Sequence, residues 1–386
     1  MGRREAFAYL TVGFVVTVIF TSPIQAQLNI GAVQNVTLYT SCPTNRDQHF
    51  ASGMTCYHAT VHGCSNAVDK DLDFGYMAPT GTPNGVIVLL SGAGGENASA
   101  ESENTFAHDY VSAGYEVIEL AWTAQWEDTG DTTGDSTYGI KYAACRPATF
   151  LNYIYNTYYL PIKQGPHNPN PNAGMCAQGF SAGSGALGYA LAFYGAGSDT
   201  SRVYLDKVEL LSGPVFSDIE QGCVVPTAPN VTVCQGSLSW CKLGTQTPWS
   251  QAPAYTSHPL NSIRIWTGDN TCGGSSNTST TSNGNWEAMS IATDPSTNFS
   301  HPNTKVTGWL CASVYQNGTM NNSSPEGQLF YTQLASTNTP LAVYAVQSCE
   351  GSEGVNGTFA TVPAAPNECD ANGQYCGYHG HQDRYE

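Results

Sequence analysis

The stretch that most limits what this chain can become is Gly174 to Gly185, GMCAQGFSAGSG. It reads as a short buried strand, a sharp turn and a helix. Gly179 and Gly183 stand two residues to either side of Ser181, in the pattern G-x-S-x-G. A serine raised on a tight strand-to-helix bend leaves no room for side chains at those two places, and glycine lets the bend close and a substrate approach. The helix that follows would aim its N-terminal amides at the serine oxygen region, where negative charge develops during attack. The same letters also fit an ordinary glycine-rich turn at a helix start, so the surrounding elements decide.

The chain has 386 residues, a length that a single α/β domain with insertions can reach. Hydrophobic residues make up 41%, enough for a sizeable core, and charged residues only 11%. The net charge of −17 argues against nucleic acid or an anionic membrane surface as partner. Gly2-Arg3-Arg4 followed by a mostly apolar run from Ala6 to Phe20 reads as a secretory signal peptide. Cleavage is expected after Ala26, giving a signal over 1–26 and a mature domain over 27–386. The run is shorter than the roughly 20 apolar residues a membrane span prefers, and no later stretch is long and apolar enough. The expected location is therefore secreted and extracellular.

Cysteine usage agrees with that compartment. There are 13 cysteines, and in a secreted chain they read as disulfides. Cys176, in the strand before Ser181, is expected to be the odd buried thiol. The spacings lack paired C-x2-C units with histidines, so no metal site is expected. N-glycosylation sequons begin at Asn35, Asn97, Asn230, Asn277, Asn298, Asn317, Asn321, Asn322 and Asn356.

Residues 27–75 are turn-rich, with a β-type character stapled by one bridge among Cys42, Cys56 and Cys64. His58 and His62 are expected to be solvated rather than metal-bound. Gly85 to Leu90 is a continuous apolar run, as in a strand buried on both faces of a parallel sheet. It leads into the glycine-rich loop Ser91 to Gly95, which has no Lys-Ser/Thr after it and so is no nucleotide loop. A helix over 102–113, a strand over 115–122 and a loop over 126–138 follow, the loop carrying Asp131 and Asp135 without full Ca²⁺-ligand spacing. Arg146-Pro147 opens a helix whose Leu151, Ile154, Tyr155 and Tyr158 share a face. After Ser181, a helix with Ala186, Leu187, Ala190, Leu191 and Tyr194 on one stripe is expected. Strands are expected over 207–214, 262–269, 306–314 and 341–346, and a helix over 325–334. Residues 221–260 look like an insertion, and 347–386 like a disulfide-rich tail. Strand and helix alternate over 85–346, predicting an α/β fold with a mostly parallel central sheet and helices on both faces.

The loop Ser91 to Gly95 after a strand, and the elbow with Gly179, Ser181 and Gly183, resemble the α/β-hydrolase superfamily. In order of elements the resemblance covers about residues 80–380. It implies a secreted serine esterase, in which Ser181 attacks an ester carbonyl, a histidine takes its proton and a carboxylate orients that histidine. Amides of Ala182 and of Gly94 and Gly95 would hold the oxyanion. The family order is serine, acid, histidine. Asp269 at the end of the strand 262–269 fits the acid, with Asp218 and Glu220 as alternatives. The loop after the last strand, 348–354, holds no histidine, so His379, or else His381, is expected to be delivered by the tail. A bridge from Cys369 or Cys376, to Cys349 for example, would fold that tail over the sheet. His258 and His301 are weaker candidates.

The missing loop histidine sustains a second reading, a catalytically inactive hydrolase-fold protein that binds or adheres. Aromatics lining a lipid or polymer pocket are a third. The first reading implies no cofactor and a small-molecule or polymer ester as substrate; oligomeric state is left open.

Overall fold

The structure, a computed structural model, describes residues 27–44, 50–92, 95–96, 105–128, 139–166, 169–180, 182–197, 204–211, 213–214, 216–219, 231–232, 248–249, 287–311 and 323–346. The expected signal segment 1–26, the strand 262–269 and the tail 347–386 lie outside them. So does all of the expected insertion 221–260 except a short antiparallel pair, β8 (Val231–Thr232) with β9 (Pro248–Trp249).

Three antiparallel strands open the chain: β1 (Ala32–Leu38), β2 (Thr55–His62) and β3 (Lys70–Met77). They give the turn-rich N-terminal segment a definite form that composition alone understated. Beyond them lie β4 (Gly85–Leu90), α1 (Thr105–Ser112), β5 (Glu116–Trp122), α2 (Ile140–Ala143) and α3 (Cys145–Ile154). A π-helical turn over Tyr155–Tyr159 joins α3 to α4 (Leu160–Gln164). Then come β6 (Gly174–Phe180), α5 (Ala182–Tyr194), β7 (Lys207–Leu211), β10 (Lys305–Cys311), α6 (Ser323–Ala335) and β11 (Leu341–Val346).

The main sheet has nine strands in the order β1-β2-β3-β5-β4-β6-β7-β10-β11. From β5 to β11 all neighbours are parallel, and β3 meets β5 antiparallel. The expected α/β class with a mostly parallel central sheet and helices on both faces is thus the observed one. β7 pairs directly with β10.

Alternation along the central strands divides the core in two. Val86, Val88 and Leu90 of β4, Ile118 and Leu120 of β5 and Met175 and Ala177 of β6 face α3 and α5 in the larger cluster. Ile87, Leu89, Val117, Ala121 and Cys176 face α1 in the smaller one. Every residue of α5 is buried, so the expected stripe extends around the whole helix, as a helix at the centre of a large core requires. Phe74, Phe150 and Tyr153 stack edge-on between β3 and α3, with Tyr57 on Phe74. These aromatics fill the core rather than line a pocket.

Two disulfides fix the N-terminal strands. Cys42–Cys56 is the expected local staple, whereas Cys64 ties the end of β2 to Cys145 at the start of α3. Cys176 is a buried thiol, as expected. Beside Cys145, the fully buried Arg146 donates from Nε and Nη2 to the Val68 carbonyl (3.1 and 2.7 Å) and from Nη1 to those of Trp126 (2.7 Å) and Asp128 (2.5 Å). Burial pulls its pKa down to about 10. Among the described residues no helix is long and apolar enough to cross a membrane.

Candidate active site

The chain leaves β4 through α1, which lies on one face of the sheet, and leaves β6 through α5, which lies on the other. β4 and β6 are direct neighbours. The crevice beyond their C-terminal ends is therefore a point where strand order reverses, the place where open α/β sheets bind ligands. The loop after β4 and the bend after β6 both open there.

The bend is built from contacts that only glycine permits. A Cβ on Gly179 would sit 2.4 Å from the Gly183 carbonyl oxygen and 2.7 Å from the Ser184 nitrogen. One on Gly183 would sit 2.4 Å from the Leu90 oxygen and 2.7 Å from that of Ser91. The first pair closes the bend on itself and the second presses it against the end of β4. Both neighbours are backbone, so neither can yield as a side chain could. Ser181, between them in sequence, lies outside the described residues, while Ala182 begins α5 and is buried.

In the loop after β4, Ser91 and Gly92 are buried. Gly95 has a φ of 76°, and a Cβ there would stand 2.8 Å from Trp122 Cδ1 and 3.2 Å from Trp126 Cδ1. Its N–H donates to the Gly92 carbonyl at 2.8 Å. That bond directs the Gly95 amide toward Gly92. Gly94 lies outside the described residues. Trp126 is buried edge-on against Tyr189 of α5, so the loop 126–138 is anchored at its start. Next to it Glu127 is buried, and loss of solvent raises its carboxyl pKa to about 8, with Glu96 and Asp128 adding and Lys70 opposing.

The segment after β7 is held from several sides. Tyr331 of α6 donates its hydroxyl to the Gly213 carbonyl at 2.6 Å. The Tyr189 hydroxyl reaches the carbonyls of Phe216 (3.1 Å) and Met289. Ala292 N–H donates to Ser217 O at 2.8 Å, and Ile219 N–H to Ser290 Oγ at 2.9 Å. Phe216 has a φ of 65°, a conformation that costs a bulky residue about 1–3 kcal/mol and persists only where the surroundings impose it. Asp218, half-buried, sits inside this pinned and strained segment. Tyr189, Phe216 and Tyr331 carry no motif, and sequence reading passed over them.

The other expected site residues, Asp269, Glu220, His379 and His381, lie outside the described residues, as does His258. Each described imidazole has another place. His58 Nδ1 is 2.9 Å from Asp73 Oδ1, which also accepts the Tyr39 hydroxyl at 2.9 Å. His62 lies on Asp69, so neither histidine of β2 is merely solvated. His108 Nε2 is 3.2 Å from Ser52 Oγ. His301 is fully buried past the far end of α5, against Gly197, with Nε2 3.1 Å from the Asn298 carbonyl. A helix of 13 residues separates it from the elbow by roughly 20 Å. No group of three or more metal-ligating side chains occurs among the described residues.

No family model matches the sequence, and no curated protein does. Solved structures of similar shape are distant in sequence. A bacterial heroin esterase is 15% identical, covering 76% of this chain and 75% of its own, with a TM-score of 0.46. An acetyl xylan esterase from Thermoanaerobacterium sp. JW/SL YS485 is 12% identical over 80% and 81%, with a TM-score of 0.41. A carboxyl esterase from the mycorrhizal fungus Tuber melanosporum is 12% identical over 80% and 82%, with a TM-score of 0.43. At this distance the likenesses carry nothing about chemistry, which has to come from the elbow itself.

Proposed function

We propose that this chain is a secreted serine hydrolase that cleaves carboxylic esters through an acyl-serine intermediate. The observation that carries the reading is the pair of backbone approaches at Gly179 and Gly183, made at the reversal point of the sheet. Few other demands account for two glycines pressed onto backbone on either side of a single serine. In this reading Ser181 Oγ attacks the ester carbonyl and a histidine accepts its proton. The tetrahedral oxyanion collapses, the alcohol leaves with that proton, and water then releases the acid by the same steps. The Ala182 amide, at the start of α5, and the Gly94 amide supply the oxyanion hole; such a donor is typically worth about 3 kcal/mol.

The imidazole is assigned to His379, with His381 as alternative, and the acid to Asp269, with Asp218 and Glu220 as alternatives. Placement in the described residues supports Asp218: it follows β7, the neighbour of the elbow strand, on a segment whose strain and anchoring suit a positioned carboxylate. Secretion rests on the N-terminal signal pattern and the cysteine content, and the low lysine content and negative charge suit an acidic extracellular setting. The test is hydrolysis of p-nitrophenyl acetate by the purified chain. Activity that Ser181→Ala abolishes supports the reading, and equal rates in both proteins refute it.

One observation favours an inactive binding protein instead: the first histidine after β11 is His379, far into the tail. Substitution of His379 and His381 separately and together decides between the readings, because an active enzyme loses its rate with one of them.

A further inference from the structure

Away from the elbow, the outer strand β1 has the surface most in need of an account. Among the described residues it pairs on one side only, with β2, and an open edge of this kind invites another strand. It also exposes Val36 at 39% and Leu38 at 66%, two of the exposed large apolar side chains. The pairing slips between Gln34, opposite Thr60, and Thr37, opposite His58, so that Asn35 and Val36 together face Ala59. Asn35 occupies the left-handed region at this bulge, with a φ of 54°, which asparagine tolerates better than most residues. Asn35-Val36-Thr37 is a sequon, and Asn35 and Thr37 are both exposed.

We infer that Asn35 carries an N-linked oligosaccharide that covers the β1 edge and keeps this chain from pairing with itself there. The bulge pushes the asparagine out of the ladder, and a bulky, hydrated sugar then stands beside the two side chains that would otherwise seed edge-to-edge association. The donor is a lipid-diphosphate-linked oligosaccharide ending in N-acetylglucosamine. The Asn35 carboxamide nitrogen forms a bond to the anomeric carbon, the sugar–phosphate bond breaks, the lipid diphosphate leaves and the amide loses one proton. Asn298, the other sequon asparagine among the described residues, is placed differently. It is half-buried, its Oδ1 accepts the Ser300 N–H at 2.9 Å, and the Ser300 hydroxyl donates to Asn338 at 2.7 Å.

The inference rests on the secretory part of the proposed function and is independent of the serine chemistry. β1 stands five strand positions from β6, roughly 24 Å at the usual strand spacing. Loss of the sugar is therefore expected to leave the rate per folded molecule unchanged.

The test is expression of the full chain through a eukaryotic secretory route, with peptide-N-glycosidase treatment and mass spectrometry of the product. Residue 35 is expected to read as aspartate after treatment, to stay unmodified in Thr37→Ala and to be modified in Thr37→Ser. Asn35→Gln is expected to lower the secreted yield several-fold and to give oligomers by light scattering, and Leu38→Lys in that background to restore the monomer. An unmodified Asn35 in secreted protein, or a chain with no sequon modified, overturns the site. A modified Asn35 whose Gln variant stays monomeric at full yield overturns the shielding role.

Discussion

The Cβ that Gly183 lacks would lie 2.4 Å from the carbonyl oxygen of Leu90, so that the first turn of α5 meets the end of β4 without a side chain between them. Gly183→Ala must therefore push the elbow away from β4. We expect about 3 kcal/mol of lost stability and at least about a 100-fold drop in ester hydrolysis, because a displacement near 1 Å suffices for that. Urea unfolding and p-nitrophenyl acetate kinetics read the two effects. An active, stable Gly183→Ala protein would mean that the bend has no catalytic geometry to protect.

Arg146 gives a prediction about the frame rather than the chemistry. Its fork satisfies three backbone carbonyls from two separate loops. Arg146→Met leaves the buried Trp126 carbonyl unpaired, at about 1–3 kcal/mol, and removes the bonds to the part-buried carbonyls of Val68 and Asp128. Arg146→Lys keeps the charge but not the fork and recovers only part of the loss. Thermal unfolding of the three proteins should rank them Arg, Lys, Met.

Two buried groups tilt stability with pH in opposite senses. Burial lowers the His301 pKa from 6.5 to about 4, with the Asn298 carbonyl opposing. The unfolded chain then binds the proton first, so stability falls as pH drops from 6.5 toward 4. Burial raises the Glu127 carboxyl from 4.5 to about 8. The folded state there keeps its proton longer, so that contribution is full below 4.5 and is lost as pH rises through 8. His301→Gln should flatten the acid limb of a melting-temperature profile, and Glu127→Gln the alkaline limb.

The choice of acid is open to a direct comparison. With Asp218 as the orienting carboxylate, Asp218→Asn lowers kcat by orders of magnitude, while Asp269→Asn leaves it near wild type. The reverse result assigns the role to Asp269, and two active variants leave Glu220 to be tried.

Much of the sheet was legible because its strands announce themselves in one dimension. Gly85 to Leu90 and Leu341 to Val346 are unbroken apolar runs, and the structure places β4 and β11 on those same residues. The elbow was legible because Gly179 and Gly183 have a steric reason to be glycine. What could not be read is what depends on distant partners. The antiparallel pairing of β3 with β5, the bridge from Cys64 to Cys145 and the buried pair Lys207–Glu209 at 2.8 Å join residues whose local sequence gives no hint of burial or partner. The role of Tyr189 was hidden for the same reason. A tyrosine on a helix reads as packing until its hydroxyl is seen to hold the carbonyl of a strained Phe216 on another loop.

Whether Ser181, between two sterically obligatory glycines, is an activated nucleophile is read by reaction of the purified chain with a fluorophosphonate probe, followed by mass mapping of the modified peptide. An activated Ser181 gives a single adduct on that residue, absent from Ser181→Ala. A folded chain that takes up no probe where a control esterase does, or that carries it on another residue, has no activated serine at the elbow.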